Sequence, residues 1–150
     1  MSTWRRAVTL TGGLALLAAT GIDAVAVAGR HLGLPVRGSI ELVQVAVLVA
    51  GALALLVATL ERAHARVHLL ADRMGARAKD GLERASALLG ALFFAALLAG
   101  AVWLMADLWS GHEVSEVIGV PWRWMRLFGC MVLGAIVLVL IGQAVRGRRP

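Results

Sequence analysis

The sequence predicts an all-α polytopic membrane protein of four transmembrane helices, and three observations predict it. Four apolar runs, at about residues 7–28, 39–60, 85–109 and 122–145, are each long enough to cross a hydrocarbon core of roughly 30 Å. The chain of 150 residues is 60% hydrophobic with a mean hydropathy of +0.83, more apolar surface than a soluble domain of this length could hide. Its polar residues gather in one long interval, 61–84, and at the ends of the runs. The architecture expected is a single membrane domain, 1–150, made of two hairpins joined by a basic, helix-prone connector.

Charge orients the spans. The first tail, the connector and the last tail lie on one side of a four-span chain. They hold Arg5, Arg6, Arg62, Arg66, Arg73, Arg77, Lys79, Arg84, Arg146, Arg148 and Arg149, eleven of the fifteen basic residues. The other side holds Arg30, Arg37, Arg123 and Arg126. Arginine beside spans marks the cytoplasmic face, so both termini and the connector are predicted cytoplasmic. A net charge of +6 suits nucleic acid in a soluble protein. Here the charges flank apolar spans and no soluble domain holds a groove, so the bilayer is the expected surroundings and nucleic acid is not an expected partner.

Residues 1–30 imitate a secretory signal, with Arg5-Arg6, an apolar core and Ala24-Val25-Ala26. The core is too long for such a signal, and Asp23 interrupts the would-be cleavage zone, so a retained first span is expected. Arg5-Arg6 as a twin-arginine signal has no further support. Asp23 and Arg30, seven residues apart, share a helix face. Ala15, Ala19 and Ala26 lie along or beside it and would let another helix approach closely. A carboxylate at mid-bilayer costs ~2.5–3.5 kcal/mol on insertion scales, and Asp23, nearer the outer end, should cost less. Its plainest role is an interfacial group paired with a nearby arginine. Contact with a partner subunit and an ion site are the other two readings.

A turn rich in breakers follows, Gly29–Gly38, in which Pro35 disfavours helix at Leu34. Ser39 is the expected N-cap of the second span, with Glu41 in the first turn where the helix dipole favours a carboxylate. Glu41 and Gln44 share a face. The rest of that span is Val, Leu and Ala with Gly51.

Read as a helix at about 100° per residue, the connector places Arg62, Arg66, Arg73, Arg77, Asp80 and Arg84 within roughly 60° of one another. Val67, Leu70, Ala71, Met74, Ala78 and Leu82 form a neighbouring stripe about 120° wide, and Leu69 alone breaks the pattern. This is an amphipathic surface helix, or a continuation of the second span bent onto the membrane. Gly75 and Gly81 each cost up to ~1 kcal/mol of helix propensity, so a bend or break is expected there. His64 and His68 have the i, i+4 spacing of a metal pair, but no third ligand accompanies them and no metal site is expected.

The third span carries an alanine ridge at i+4 spacing, Ala87, Ala91, Ala95 and Ala99, that runs on to Trp103 and Asp107. Such a ridge makes a close helix–helix seam, either internal or toward a partner. The second outer loop, Ser110–Val120, carries Glu113 and Glu116. Trp103, Trp109, Trp122 and Trp124 gather at the outer interface as an aromatic belt, and Trp4 marks the inner one. Pro121 opens the fourth span close to the N1 position, where proline is tolerated. Arg123 and Arg126 can snorkel outward, and Arg-Gly-Arg-Arg-Pro ends the chain on the cytoplasmic side.

Cys130, the only cysteine, lies inside the fourth run and cannot make an internal disulfide or a cysteine-based metal site, which excludes four-span thiol oxidases. No Ser/His/Asp set, carboxylate pair or metal constellation lies on one side of the membrane with plausible geometry. No catalytic residue, no cofactor and no enzyme activity is therefore expected. No span has a charge near its middle, where a transporter working alone would place one. Asp23, Arg30, Arg37, Glu41, Asp107, Arg123 and Arg126 all crowd the outer third. Asp23, Arg30, Glu41 and Arg126 are expected to form an outer ionic network that fixes the helix ends and meets a partner.

The order of these features resembles the small permease (Q, DctQ-like) subunit of tripartite ATP-independent periplasmic (TRAP) transporters. Arg30 closes the first span, a Gly/Pro turn follows, and Gly38-Ser39-Ile40-Glu41-Leu42 opens the second. His64-Ala65-Arg66-Val67 stands where the family has a His-x-x-Val-like run, and Ser115…Pro121-Trp122 matches a late Ser/Pro-Trp element. His68 stands where the family often has an acidic residue, a departure that leaves the pairing role of that position open without touching the assignment. The resemblance implies a multi-pass protein of the bacterial inner membrane that binds a large permease subunit. A periplasmic substrate-binding protein delivers an organic anion, such as a dicarboxylate, to the pair, and a sodium gradient drives import by symport. The small subunit is a scaffold against which the transport domain moves. The resemblance also implies that the binding protein and the large subunit select the substrate. Two rivals share the frame, beside a generic structural membrane protein outside this family. A stand-alone small multidrug-type exporter needs a carboxylate well inside a span, for which Asp23 is the only candidate. A membrane-anchored enzyme or assembly factor needs a constellation that the sequence lacks.

Overall fold

The computed structural model describes residues 3–62, 76–111 and 113–146. Among them it has four long helices and no strand: α1 (Thr3–His31), α2 (Ser39–Leu60), α3 (Ala76–Asp107) and α4 (Trp122–Arg146). All four are long and apolar enough to cross a membrane. The connector residues 63–75, with His64, Arg66 and His68, and the tail 147–150 lie outside the described residues.

Helix α1 packs on α2, α3 packs on α4, and α2 and α4 meet in the middle. The row is thus α1–α2–α4–α3, and α4 is the most buried of the four. One end carries the two short loops, 32–38 and 108–121, and is called the loop end below. The other, the tail end, carries the starts of α1 and α3 and the ends of α2 and α4.

Helices in lipid gain little from hiding apolar surface, so close packing of small residues decides which faces meet. The buried and half-buried residues of α1 are Arg5, Val8, Gly12, Ala15, Ala19, Ile22, Ala26 and Gly29. Their spacing alternates three and four, the 3.5-residue repeat that keeps one seam facing a neighbour. At Gly12 an added Cβ would stand 3.4 Å from the Leu53 Cβ of α2, so the two backbones approach closely there. Asp23 and Arg30 each lie one position past a seam residue and are exposed.

The same repeat splits the alanine ridge of α3. Ala87 and Ala91 face inward, whereas Ala95 and Ala99 are exposed. Successive i+4 residues rotate by about 40° at 100° per residue, so an i+4 row drifts off any straight seam. The inward line instead runs through half-buried Glu83, Ala87, Gly90, Phe94, Leu98, Ala101 and Met105, with buried Ala91 beside Gly90. The core lies where three helices meet. Ala91, Val132, Ile136 and Leu140 are buried, and Ala52, Leu56, Phe94 and Phe128 pack against them. Cys130 is buried on α4 as a packing residue.

Three local expectations need correction. Helix α3 begins at Ala76, so the second half of the connector extends the third helix, and no break occurs at Gly81. A propensity cost of up to ~1 kcal/mol is small against 32 helical residues with tertiary contacts. Helix α2 does not bend onward either. It stops at Leu60, and the turn at Glu61–Arg62 puts Arg62 in the left-handed region at φ 53°. Ser39 is not the N-cap. Gly38 holds that position with φ 75°, no side chain caps the helix, and Leu42 N–H donates to the Gly38 carbonyl at 3.1 Å.

Candidate functional site

The loop end is organised on Glu41. Its carboxylate projects from the first turn of α2 and accepts from the Ser115 hydroxyl. It also accepts from the Val117 N–H at 3.1 Å and the Ile118 N–H at 3.0 Å. Consecutive backbone N–H groups turned toward one point form a concavity suited to an anion, and here the anion is a side chain of the chain itself. Ser115 is 3% exposed, and its Oγ also accepts from the Ile118 N–H at 3.3 Å.

The loop is shaped to present these donors. Val114 and Pro121 pair as an isolated antiparallel bridge. Ser115 N–H donates to the Val120 carbonyl at 2.9 Å, and Trp122 N–H donates to the Glu113 carbonyl at 3.2 Å. Between these rungs the chain turns through 116–119, closed by Gly119 N–H to the Ser115 carbonyl at 3.1 Å. Pro121, with no N–H to place, precedes the first residue of α4. Gly38 completes the fit. An added Cβ would lie 2.7 Å from Ile118 Cγ2 and 3.2 Å from Val117 Cγ1, and its φ is one that L side chains avoid.

Arg126, one turn into α4, forms an ion pair with Glu113 of the same loop. Glu41, Gln44, Glu113, Ser115, Trp122 and Arg126 line one open groove of ≈ 990 Å³. Around it Trp109 and Trp124 meet edge-on at 6.5 Å, and Arg123 lies 5.7 Å from the Trp124 ring centre. The structure therefore brings Glu41 and Arg126 to one groove through different partners, Ser115 and the loop backbone for one and Glu113 for the other. Ser39 lies beside Glu41 on the same wall. Asp23 and Arg30 stand apart on exposed α1, with no ion pair or side-chain hydrogen bond to any described residue.

The tail end has contacts that residue spacing does not reveal. Arg5 pairs with Glu61 at 2.6 Å and ties the start of α1 to the end of α2. Arg62 pairs with Glu83 at 3.6 Å and links the two hairpins. Gln143 Nε2 donates to the Thr59 carbonyl at 2.8 Å, and Thr59 is fully buried. The available signal was a lone glutamine and a lone threonine near the ends of otherwise aliphatic helices. The two hairpins are thus joined at both ends, by Glu41 at one and by Gln143 and Arg62 at the other.

No curated protein and no solved structure matches the chain. Residues 19–149 match the family model described as "Tripartite ATP-independent periplasmic transporters, DctQ component". That match takes in α2, α3, α4 and the Glu41 clasp, so the chain, a multi-pass membrane protein, belongs to the family of TRAP transporter small membrane subunits.

Proposed function

We propose that this chain scaffolds a large permease subunit in the bacterial inner membrane. Its tails and connector face the cytoplasm, and it spans the membrane four times as one domain. The assembly imports an organic anion by sodium symport, and a periplasmic substrate-binding protein delivers that anion to the outer, loop-end face. This chain performs no catalysis and holds no cofactor. Asp23, Arg30, Glu41 and Arg126 serve the outer end, the last two by fixing the helix ends and the first two by meeting a partner.

The observation that carries the reading is the family match over 19–149. The build of the chain supports it. The described helices are unbroken, and the two hairpins are joined at both ends. A transporter working alone near the midplane would need a discontinuous helix or a central ionisable group. Unbroken helices joined across the two hairpins instead suit a fixed support.

Purification tests this. The tagged chain, co-expressed with its large permease and extracted in mild detergent, should recover that permease in near-equal amount. Replacing Arg30 and Glu41 together with neutral residues should lower the recovery. A stable homo-oligomer of this chain alone, able to carry out proton-coupled drug efflux, would favour the small-exporter reading and contradict the proposal.

A further inference from the structure

The acidic residues of the loop end have different fates. Glu41 is held by Ser115 and two backbone N–H groups. Glu113 is held by Arg126. Glu116 lies in an exposed loop, and Asp107 is the last residue of α3, where water reaches both. Asp23 differs from all of these. It lies five residues inside the end of the first apolar run at residue 28, about 8 Å along the axis at 1.5 Å per residue. Its side chain is exposed on the helix surface and has no partner among the described residues.

Exposed here means facing whatever surrounds the helix within the membrane. Arginine or lysine at this depth can extend its long stem to the interface. Aspartate has a single methylene and cannot. Ionisable groups in spans normally face a bundle interior or a water-filled cavity and pair with another ionisable group or a backbone carbonyl, and a carboxylate left against lipid tails is unfavourable. Arg30, seven residues on, lies about 10 Å along the axis and likewise has no ion pair among the described residues. Thr20, one turn before Asp23, is exposed, with its hydroxyl donating to its own helix at the Leu16 carbonyl. The outward face of α3 offers a contrast. Leu88, Leu89, Leu92 and Phe93 are exposed there, and no ionisable residue occurs between Arg84 and Asp107. That face suits acyl chains, whereas the Asp23 face does not.

We propose that the side of α1 carrying Thr20, Asp23 and Arg30 docks against a transmembrane helix of the large permease subunit that presents a basic side chain to Asp23. This rests on the scaffold reading and adds which surface is used and what chemistry the partner must supply. The carboxylate is the complement of a cation on the facing helix. Arg30 lies nearer the membrane surface, where the partner's own helix end or loop can receive it.

The test uses the whole complex. A photo-reactive side chain is placed at Thr20 or Val27, on the proposed face, and at Leu89 or Phe93 on α3, and the chain is co-expressed with the large permease. Crosslinks to the permease from the first two positions and none from α3 are expected. Asp23→Asn should lower the permease recovered by about tenfold or more, since the facing cation is left unpaired. Asp23→Lys should lower it further. The melting temperature of the isolated chain should not change in either variant, because no internal contact is lost. Crosslinks from α3 only, crosslinks to a second copy of this chain, or undiminished recovery with Asp23→Asn would overturn the inference while leaving the scaffold reading standing. Failure of the unmodified chain to recover any permease would overturn both.

Discussion

A Gly38→Val chain should be destabilised by about 2–5 kcal/mol, combining the cost of a left-handed residue with a Cβ and the cost of overpacking. Both penalties arise at one residue. Gly38 sits at φ 75°, and an added Cβ would meet Ile118 Cγ2 at 2.7 Å. The loop cannot simply retreat, because the Ile118 N–H is bonded to Glu41 from the adjacent turn of α2. Thermal melting in detergent measures the total. The two causes separate by substitution. Gly38→Asn tolerates the backbone conformation and keeps the clash. A double-mutant cycle of Gly38→Ala with Ile118→Ala should show favourable coupling, since the smaller neighbour makes room for the new methyl group. Strict additivity would mean that Gly38 is needed for its conformation alone.

Glu41→Ala should open the loop end. The substitution leaves the Ser115 hydroxyl and the Val117 N–H without their acceptor and the Ile118 N–H with only its longer bond to Ser115 Oγ at 3.3 Å, and unmade hydrogen bonds of this kind are expensive. Loop 110–121 should then be cleaved by added protease roughly tenfold faster or more, because cleavage follows the population of the open state. Glu41→Gln should fall between, since the amide oxygen still accepts but the charge is gone. Ser115→Ala should resemble Glu41→Gln, with the two N–H groups still able to bond the carboxylate. Equal cleavage rates in all four chains would show that Glu41 does not hold the loop.

These two sites mark how much the sequence discloses. The four helices are legible because hydropathy and length suffice for a span, and because Gly29–Gly38 and Ser110–Pro121 punctuate them. The inward face of α1 is legible in hindsight as Gly12, Ala19 and Ala26 at heptad spacing. The alanine ridge of α3 misleads, because an i+4 row and a 3.5-residue seam diverge within three turns. The start of α3 at Ala76 is hidden by two glycines whose propensity cost is local, whereas the helix is stabilised along its length.

At the site, spacing places Glu41 in a first turn and puts Ser115 in a motif, but their contact spans 74 residues. Nothing local signals that the carboxylate is received by backbone N–H groups, which every residue type except proline carries. Charge counting alone suggests arginines for Glu41, Arg30 above all. The folded loop supplies neutral donors instead, and Arg126 is taken by Glu113. Pairing of this kind depends on how the loop turns, and the Gly119 backbone at φ 70° helps set that turn.

A scaffold of the proposed kind is needed for import but does not itself carry the anion. Reconstitution in sealed vesicles tests it most directly, with the large permease, the binding protein loaded with its organic anion, and a sodium gradient directed inward. Anion uptake is expected only when this chain is present, with no anion flux from vesicles that hold this chain alone. Full uptake by the permease and binding protein without this chain, or anion movement through this chain by itself, would contradict it.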